Sequence, residues 1–300
     1  VNAMKASDFN KNFIKDLKLP IAVDKAPYFE HYLELTSPYY GSVEKYETFK
    51  RDFESFGSQF FFEHNRKTVN GTLDMISASP EYARFNAMDM SVFNKEIKIS
   101  AKDLYKSDKA DKKFYSIDLV KANFQSLLLV EPTIFGGHTD YSEFAISRGF
   151  NEYMLISKIT RQILFGNLNP KRQQKVQYFM MNQIADKLIK AGVDVSCVYS
   201  LSSDELVFEQ GDYKKEAILD AIAPLGYNVR LEAFTLRKPF DKPFYVKERD
   251  DGSVEFKMVP TAVMAEFIKR FEGRAVEDID LYFYDESKRL SKFVEPFIEN

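Results

Sequence analysis

The chain has no tryptophan, one cysteine and three histidines. A single cysteine, Cys197, excludes an intrachain disulfide and fits a reducing compartment. It lies in the apolar run 195–199, where a buried, inert thiol is expected. His31, His64 and His138 are dispersed without ligand spacing, which argues against a zinc site. No window has the apolar length of a membrane span and the start carries no signal-peptide core, so a cytoplasmic protein with no membrane partner is expected. Residues 1–3, ahead of Met4, read as an appended segment. The net charge of -3 gives no overall basic signal, so any nucleic-acid surface must be local. Gly136-Gly137 is not a phosphate loop, because no strand, lysine and helix follow in the P-loop order. There is no internal repeat and no low-complexity segment.

What is present is an ordinary globular balance: 300 residues, 45% hydrophobic and 29% charged, with 28 phenylalanines and 17 tyrosines. That is enough chain for a substantial core, and most of the rings are expected to pack inside it. Residues 4–110 read as helices and loops, with apolar spacing over 27–62 and a helix start at Ser79-Pro80-Glu81. Residues 102–113 are rich in lysine and aspartate and read as an exposed connector. The pattern then changes. A strand is predicted over 114–120, a helix over 122–130, a second over 151–165 and a long one over 171–191. The long helix carries Val176, Phe179, Met180, Ile184, Leu188 and Ile189 on one face, and Gly192 ends it. Apolar runs at 193–199 and 205–209 form a predicted hairpin around 200–204. A helix over 213–223, a strand over 228–236 and a hairpin around Asp250-Asp251-Gly252 follow. The C-terminal segment reads as helical, with 281–284 as a candidate extended piece. Strand, helices, hairpin, helix, strand is the α+β pattern of an antiparallel, ferredoxin-like sheet with helices on one face.

Three segments in that order concentrate chemistry: Ser116-Ile117-Asp118-Leu119, Lys158-Ile159-Thr160-Arg161-Gln162-Ile163-Leu164-Phe165-Gly166, and Ser202-Ser203-Asp204-Glu205. Nucleotidyl transfer uses two divalent ions about 4 Å apart. Magnesium takes oxygen ligands and keeps several waters, so two rigid carboxylates suffice as protein anchors. Asp118 at a strand end and Asp204 at a hairpin turn satisfy this if their strands are neighbours. Glu205 is a weaker third candidate, because strand alternation turns it away from Asp204. Lys158, Arg161, Gln162 and Phe165 recur at spacings of three and four and so share one helix face. Lys158 and Arg161 could grip a triphosphate, while Phe165 and Gly166 could border a base pair. Lys171, Arg172 and Lys175 form a local basic patch suited to a phosphate backbone. Each residue also has an ordinary reading: a turn or cap for the acids, a solvated face for the cations, core for Phe165 and a helix end for Gly166.

The three segments resemble motifs A, B and C of family B DNA polymerases, closest to the small protein-primed viral branch. Asp118 matches the motif A aspartate. Lys158, Gln162, Phe165 and Gly166 match motif B at its spacing, with glutamine for asparagine and phenylalanine for tyrosine. Asp204 falls on the second aspartate of motif C, and Ser202 replaces the first. The sugar-selecting position falls on Asn123, with Phe124 next to it. Lys242-Pro243-Phe244-Tyr245 is loosely similar to the primer-strand motif, through Tyr245.

The resemblance covers about residues 114–260 and implies a palm over 113–240 with short helical fingers at about 131–170. A mainly helical region over 4–112 and a small thumb-like region over 241–300 flank it. It implies a magnesium- or manganese-dependent DNA polymerase acting on a primer-template and nucleoside triphosphates. The setting is viral or mobile-element replication, cytoplasmic within a host if viral. No exonuclease is present, so a separate exonuclease or other replication proteins are implied partners. The rival expectations are a degenerate palm-like protein that binds nucleic acid or a replication partner, and a template-independent nucleotidyltransferase or primase.

Overall fold

The computed structural model describes residues 6–57 and 60–298, so residues 1–3 lie outside the described residues. Five helices lead: α1 (Ala6–Leu17), α2 (Tyr28–Tyr40), α3 (Ser42–Ser55), α4 (Phe61–Ser77) and α5 (Pro80–Ala87). Ser79 caps α5 by accepting the Tyr82 N–H at 3.1 Å, with Pro80 in the first turn as the sequence indicates. Strand β1 (Lys113–Leu119) then enters the sheet. Helices α6 (Ala122–Val130), α7 (Tyr141–Ser147), α8 (Glu152–Ile156), α9 (Lys158–Gly166) and α10 (Pro170–Lys190) follow it. The single helix expected over 151–165 is two. Ser157 leaves helical geometry and caps the second one, accepting the Thr160 N–H at 3.1 Å.

The rest of the sheet comes from β2 (Val198–Leu201), β3 (Glu205–Glu209), β4 (Val229–Arg237), β5 (Tyr245–Arg249) and β6 (Val254–Lys257), with α11 (Lys215–Ile222) between β3 and β4. All six strands pair antiparallel in the order β2-β3-β1-β4-β5-β6. The expected α+β class and antiparallel sheet are therefore present.

Alternation along the strands gives the sheet two unlike faces. The back face presents Tyr115, Ile117, Leu119, Leu206, Phe208, Leu231 and Ala233, packed with Val176, Met180, Ile184 and Leu188 of α10 and Ile218 and Ile222 of α11. Val246 and Phe256 continue this face into β5 and β6, where they meet Phe13, Phe29 and Phe49 of the first three helices. The front face carries Ser116, Asp118, Glu205, Arg230, Glu232, Lys247, Arg249 and Glu255 in cross-strand register.

Two expected boundaries do not separate cores. The β5–β6 hairpin extends the same sheet past residue 241. The N-terminal helices also divide. Residues of α1–α3 share a core with α12 (Met264–Phe271), while Val69, Ile76 and Phe85 of α4 and α5 pack with Phe124, Phe135, Phe144 and Leu164. Beyond α12 the extended piece expected over 281–284 is a strand, β7 (Tyr282–Tyr284), paired with β8 (Leu290–Lys292), and the helix expected around it is reduced to a 3-10 turn at Asp278–Leu281. Aromatic residues suit a pleated strand, and the Asp285 N–H bonds the Arg289 carbonyl at 2.9 Å to close the turn. Cys197 is half-buried in a short 3-10 turn ahead of β2, not enclosed in a strand.

Candidate active site

Asp118 lies one residue before the end of β1, where the sheet stops and the chain must turn into α6. It makes that turn through Lys121, whose φ of 52° is left-handed. Across the sheet Asp118 is paired with Glu205 on one side and Arg230 on the other. The Ser116 hydroxyl lies 2.8 Å from Glu205 Oε1 and 3.4 Å from Asp118 Oδ2, so one small side chain sits between two carboxylates. Arg230 Nη2 is 3.6 Å from Asp118 Oδ2, and its Nε is 3.2 Å from Glu232. Lys247 is buried, with Nζ 3.7 Å from Glu205 Oε1. Burial pushes the Asp118 carboxyl above the ordinary carboxylate range. The Glu205 charge adds to that, and Arg230 offsets only part of it.

Asp204 stands exposed in the turn between β2 and β3. Its carbonyl accepts the Leu119 N–H at 2.9 Å, which pins the turn to the end of β1. Ser202 Oγ donates to the Glu205 carbonyl at 3.2 Å and accepts the Glu205 N–H at 3.0 Å, fixing the turn internally. Asp118 and Asp204 border one cleft of about 340 Å³, together with Lys121, Asn123, Arg161, Phe165, Gln177 and Arg230. Gln177 Nε2 donates to Asn123 Oδ1 at 2.6 Å, holding that amide against the cleft wall.

Of the residues singled out in the sequence, Asp118, Asp204, Asn123, Arg161 and Phe165 thus meet at one place. Phe165 reaches it with a side chain that is otherwise core. Glu205 does not line the cleft, but the register places it beside Asp118, because Asp204 belongs to the turn and alternation starts only after it. Phe124 does not face the cleft. It is buried and stacked on Phe135 at 4.2 Å, since the first turn of α6 points it into the helical core. Lys158 and Gln162 are exposed but do not line the cleft. Lys158 begins α9 and stands near Lys45, whose ammonium is held below its ordinary value first by burial and then by the Lys158 charge. Gly166 is exposed at the end of α9 and is also outside the cleft.

Lys171 and Lys175 border a separate depression of about 480 Å³ with Phe93, Lys95 and Tyr178. Arg172 is withdrawn from it: its guanidinium donates to the Phe85 carbonyl at 2.9 Å and also to that of Met88, tying α10 to the end of α5. Tyr245 is buried under the connector, 5.6 Å from the Tyr105 ring, so it offers no exposed surface to a nucleic-acid backbone. Tyr105 was hidden in a segment read as solvated. Burial, followed by the charges of Glu205 and Glu255, pushes its hydroxyl well above the ordinary tyrosine value.

The sequence reading also missed Lys121, Gln177, Arg230 and Lys247. A signal for the last two exists: Arg230-x-Glu232, Lys247-x-Arg249 and Glu255-x-Lys257 place charges two apart on predicted strands, which marks a charged sheet face. Among the described residues, no group of three or more His, Cys, Asp or Glu is drawn together as a metal cluster. No protein-family model, curated protein or solved structure matches the chain.

Proposed function

We propose that this chain performs template-directed nucleotidyl transfer, as a compact polymerase acting on a DNA primer-template with nucleoside triphosphates. One observation carries the reading: segments far apart in sequence deliver Asp118, Asp204, Arg161, Phe165 and Asn123 to a single cleft. The strand order β2-β3-β1-β4, with helical crossovers before β2 and before β4, supports a palm built on a ferredoxin-like core. Viral or mobile-element replication is the setting that fits a polymerase this small.

Asp118 and Asp204, which border one cleft, would hold the magnesium or manganese ions, with Glu205 a weaker third and water and substrate phosphates completing their shells. The fit rests on Asp118. Its carboxyl borders the cleft with Asp204 and is register partner of Glu205, with the Ser116 hydroxyl between them, an all-oxygen donor set of the kind magnesium takes. When bound, the ions supply Lewis-acid charge to the attacking hydroxyl and the leaving pyrophosphate. The chain's own side chains do the positioning. Arg161 borders the cleft and would meet the triphosphate, and Phe165 and the Gln177-held Asn123 line its wall.

A second reading has its own support. Arg230 and Lys247 already stand 3.6 and 3.7 Å from the Asp118 and Glu205 carboxylates, and Ser202 occupies the other acidic position of the turn. Internal cations of this kind suit a palm-like protein that binds nucleic acid without catalysis. Primer extension with Mg²⁺ or Mn²⁺ separates the two. Incorporation that disappears in both Asp118→Asn and Asp204→Asn supports the enzyme. DNA binding with no incorporation under either metal rejects it.

A further inference from the structure

A second charged surface runs along α10, away from the cleft. Lys171, Gln174, Lys175, Tyr178 and Asn182 recur at spacings of three and four and so share one helix face. Residues 94–103 run beside that face without helix, turn or bend. Asn182, 5% exposed, clamps them to it. Its Oδ1 accepts the Glu96 and Ile97 N–H groups at 2.9 and 3.0 Å, and its Nδ2 donates to the Ile97 carbonyl at 2.7 Å. Phe93, Ile97 and Ile99 anchor the same segment in the core behind the sheet. Two depressions lie between segment and helix and share Lys95 and Tyr178. One is the 480 Å³ depression described above, and the other, of about 220 Å³, is lined by Ile97, Ile99 and Leu201. Neither shares a lining residue with the Asp118 cleft.

Lys95, Lys98, Lys171 and Lys175 border this groove, all four exposed, and no acid lines it. None of the four forms an ion pair among the described residues. Asp89 feels the Lys175 charge but is committed elsewhere, accepting the Ser91 N–H at 2.9 Å and the Ser91 hydroxyl at 2.7 Å. Glu96 is exposed and lies outside both linings. Four like charges around one groove repel, and an anionic partner relieves them.

Two features disfavour a nucleic acid as that partner. Single strands bind by stacking bases on open rings. Here Lys95 Nζ already sits over the Tyr178 ring, 4.5 Å from its centroid, and Phe93 is buried edge-to-face against Phe179 at 5.3 Å. Arg172, the side chain suited to bidentate phosphate contact, is turned away to α5. A peptide meets a better match. Ile97, Ile99 and Leu201 offer apolar contact, and the backbone edge is open. The N–H groups of Lys98, Ile99, Ser100 and Ala101 have no hydrogen-bond partner among the described residues. Because Asn182 already orders the segment, docking on it loses less conformational entropy.

We propose that this groove docks an extended acidic peptide segment of a partner protein, its carboxylates at the four lysines and its apolar side chains over Ile97, Ile99 and Leu201. From Lys171 to Asn182 the helix rises about 16 Å, room for about five extended residues. Such docking is independent of nucleotidyl transfer.

The probe is a fluorescein-labelled hexapeptide of alternating aspartate and leucine, titrated into the full chain and read by anisotropy. Saturable binding is expected, weakening as salt rises. Lys95→Gln and Lys175→Gln should each weaken it about threefold, the worth of an exposed ion pair. Replacing all four lysines by glutamine should weaken it at least about tenfold at an unchanged melting temperature, since none is buried or paired. A peptide of alternating aspartate and serine should bind about tenfold more weakly, having lost the apolar contacts. Lys214→Gln, exposed ahead of α11, should leave binding unchanged. No saturable binding by the parent chain, or equal losses in Lys214→Gln and Lys95→Gln, overturns the site. An oligothymidylate of matched charge that binds more tightly and displaces the peptide overturns the peptide in favour of a nucleic acid. Dimerisation of the parent chain in sedimentation, lost when the four lysines are replaced, overturns a foreign partner in favour of a second copy.

Discussion

Asp118 and Asp280 are both carboxylates withdrawn from solvent, and the chain treats them in opposite ways. Asp280 joins the two ends of the molecule. His31 Nε2 on α2 lies 2.6 Å from its Oδ1, the Glu277 N–H donates to Oδ2 at 2.8 Å, and the buried Lys269 Nζ stands 3.7 Å away. Burial alone raises its carboxyl. The His31 hydrogen bond, the Glu277 N–H and the Lys269 charge outweigh that and hold it below the ordinary value. Asp118 has a hydroxyl at 3.4 Å, a guanidinium at 3.6 Å and a second carboxylate as its register partner, and it is shifted up. One acid is surrounded by donors and stabilises the fold. The other is short of donors, beside a like charge, at the mouth of a cleft. A shortfall of that kind is what a site leaves for a ligand to fill.

The largest expected difference follows from this contrast. Asp118→Asn should lower primer extension by about 10³-fold or more, because removing a metal-anchoring or transition-state charge costs about 4 kcal/mol. It should not lower the urea midpoint, since the charge it removes is unfavourable in the fold. A variant that loses both activity and stability would mean that Asp118 is structural. Asp280→Asn should do the reverse. It removes the buried carboxylate that His31 and the Glu277 N–H bond, while Lys269 keeps Glu277 at 2.7 Å, and should cost about 2 kcal/mol of unfolding free energy, read from urea melts, while the unfolded fraction alone accounts for any lost activity.

The pH dependence sharpens the pair. Asp280, shifted down, contributes stability that is present above the ordinary carboxylate range and is lost as pH falls through its depressed value. Asp118, shifted up, contributes the opposite sign. Its stabilising protonated form is complete below the ordinary range and is lost as pH rises through the raised value. Relative to the parent chain, Asp280→Asn should therefore show a shallower fall in melting temperature on acidification. Asp118→Asn should gain on its parent as pH rises from about 4 toward neutrality. Equal pH profiles for the two variants would abolish the distinction.

The same contrast explains what could be read in the sequence. The back of the sheet was legible because an apolar strand or helix face announces itself by period, as Val176, Met180, Ile184 and Leu188 do on α10. Asp118 and Asp204 were legible because strand ends and turns are marked by flanking apolar runs. The side of Glu205 was not, because it depends on which residue begins the pairing after the turn, and a shift of one reverses every side chain. Lys121 and Tyr141, whose ammonium and ring centroid lie 5.5 Å apart, were illegible for a different reason. Their meeting depends on how α7 returns over α6, a long-range packing choice with no local pattern. Tyr105 and Tyr245 were hidden in the same way, since Leu104 and Tyr105 of the polar segment pack against Phe114, Phe234, Leu236 and Tyr245 of the sheet.

The smallest effect tests this directly on α9. Lys158 and Arg161 are one helical turn apart, and spacing alone gives them the same role. The structure separates them. Arg161 lines the cleft and donates to the Leu155 carbonyl at 3.2 Å, while Lys158 stands outside it near Lys45. Arg161→Ala should raise the apparent KM for nucleoside triphosphate about tenfold, equivalent to about 1.4 kcal/mol of lost binding. Lys158→Ala should change it by less than about twofold, within the range of an exposed charge, and should relieve the repulsion on Lys45. If Lys158→Ala instead matches Arg161→Ala, the helix-face spacing was the better guide and α9 must turn toward the cleft when nucleotide binds.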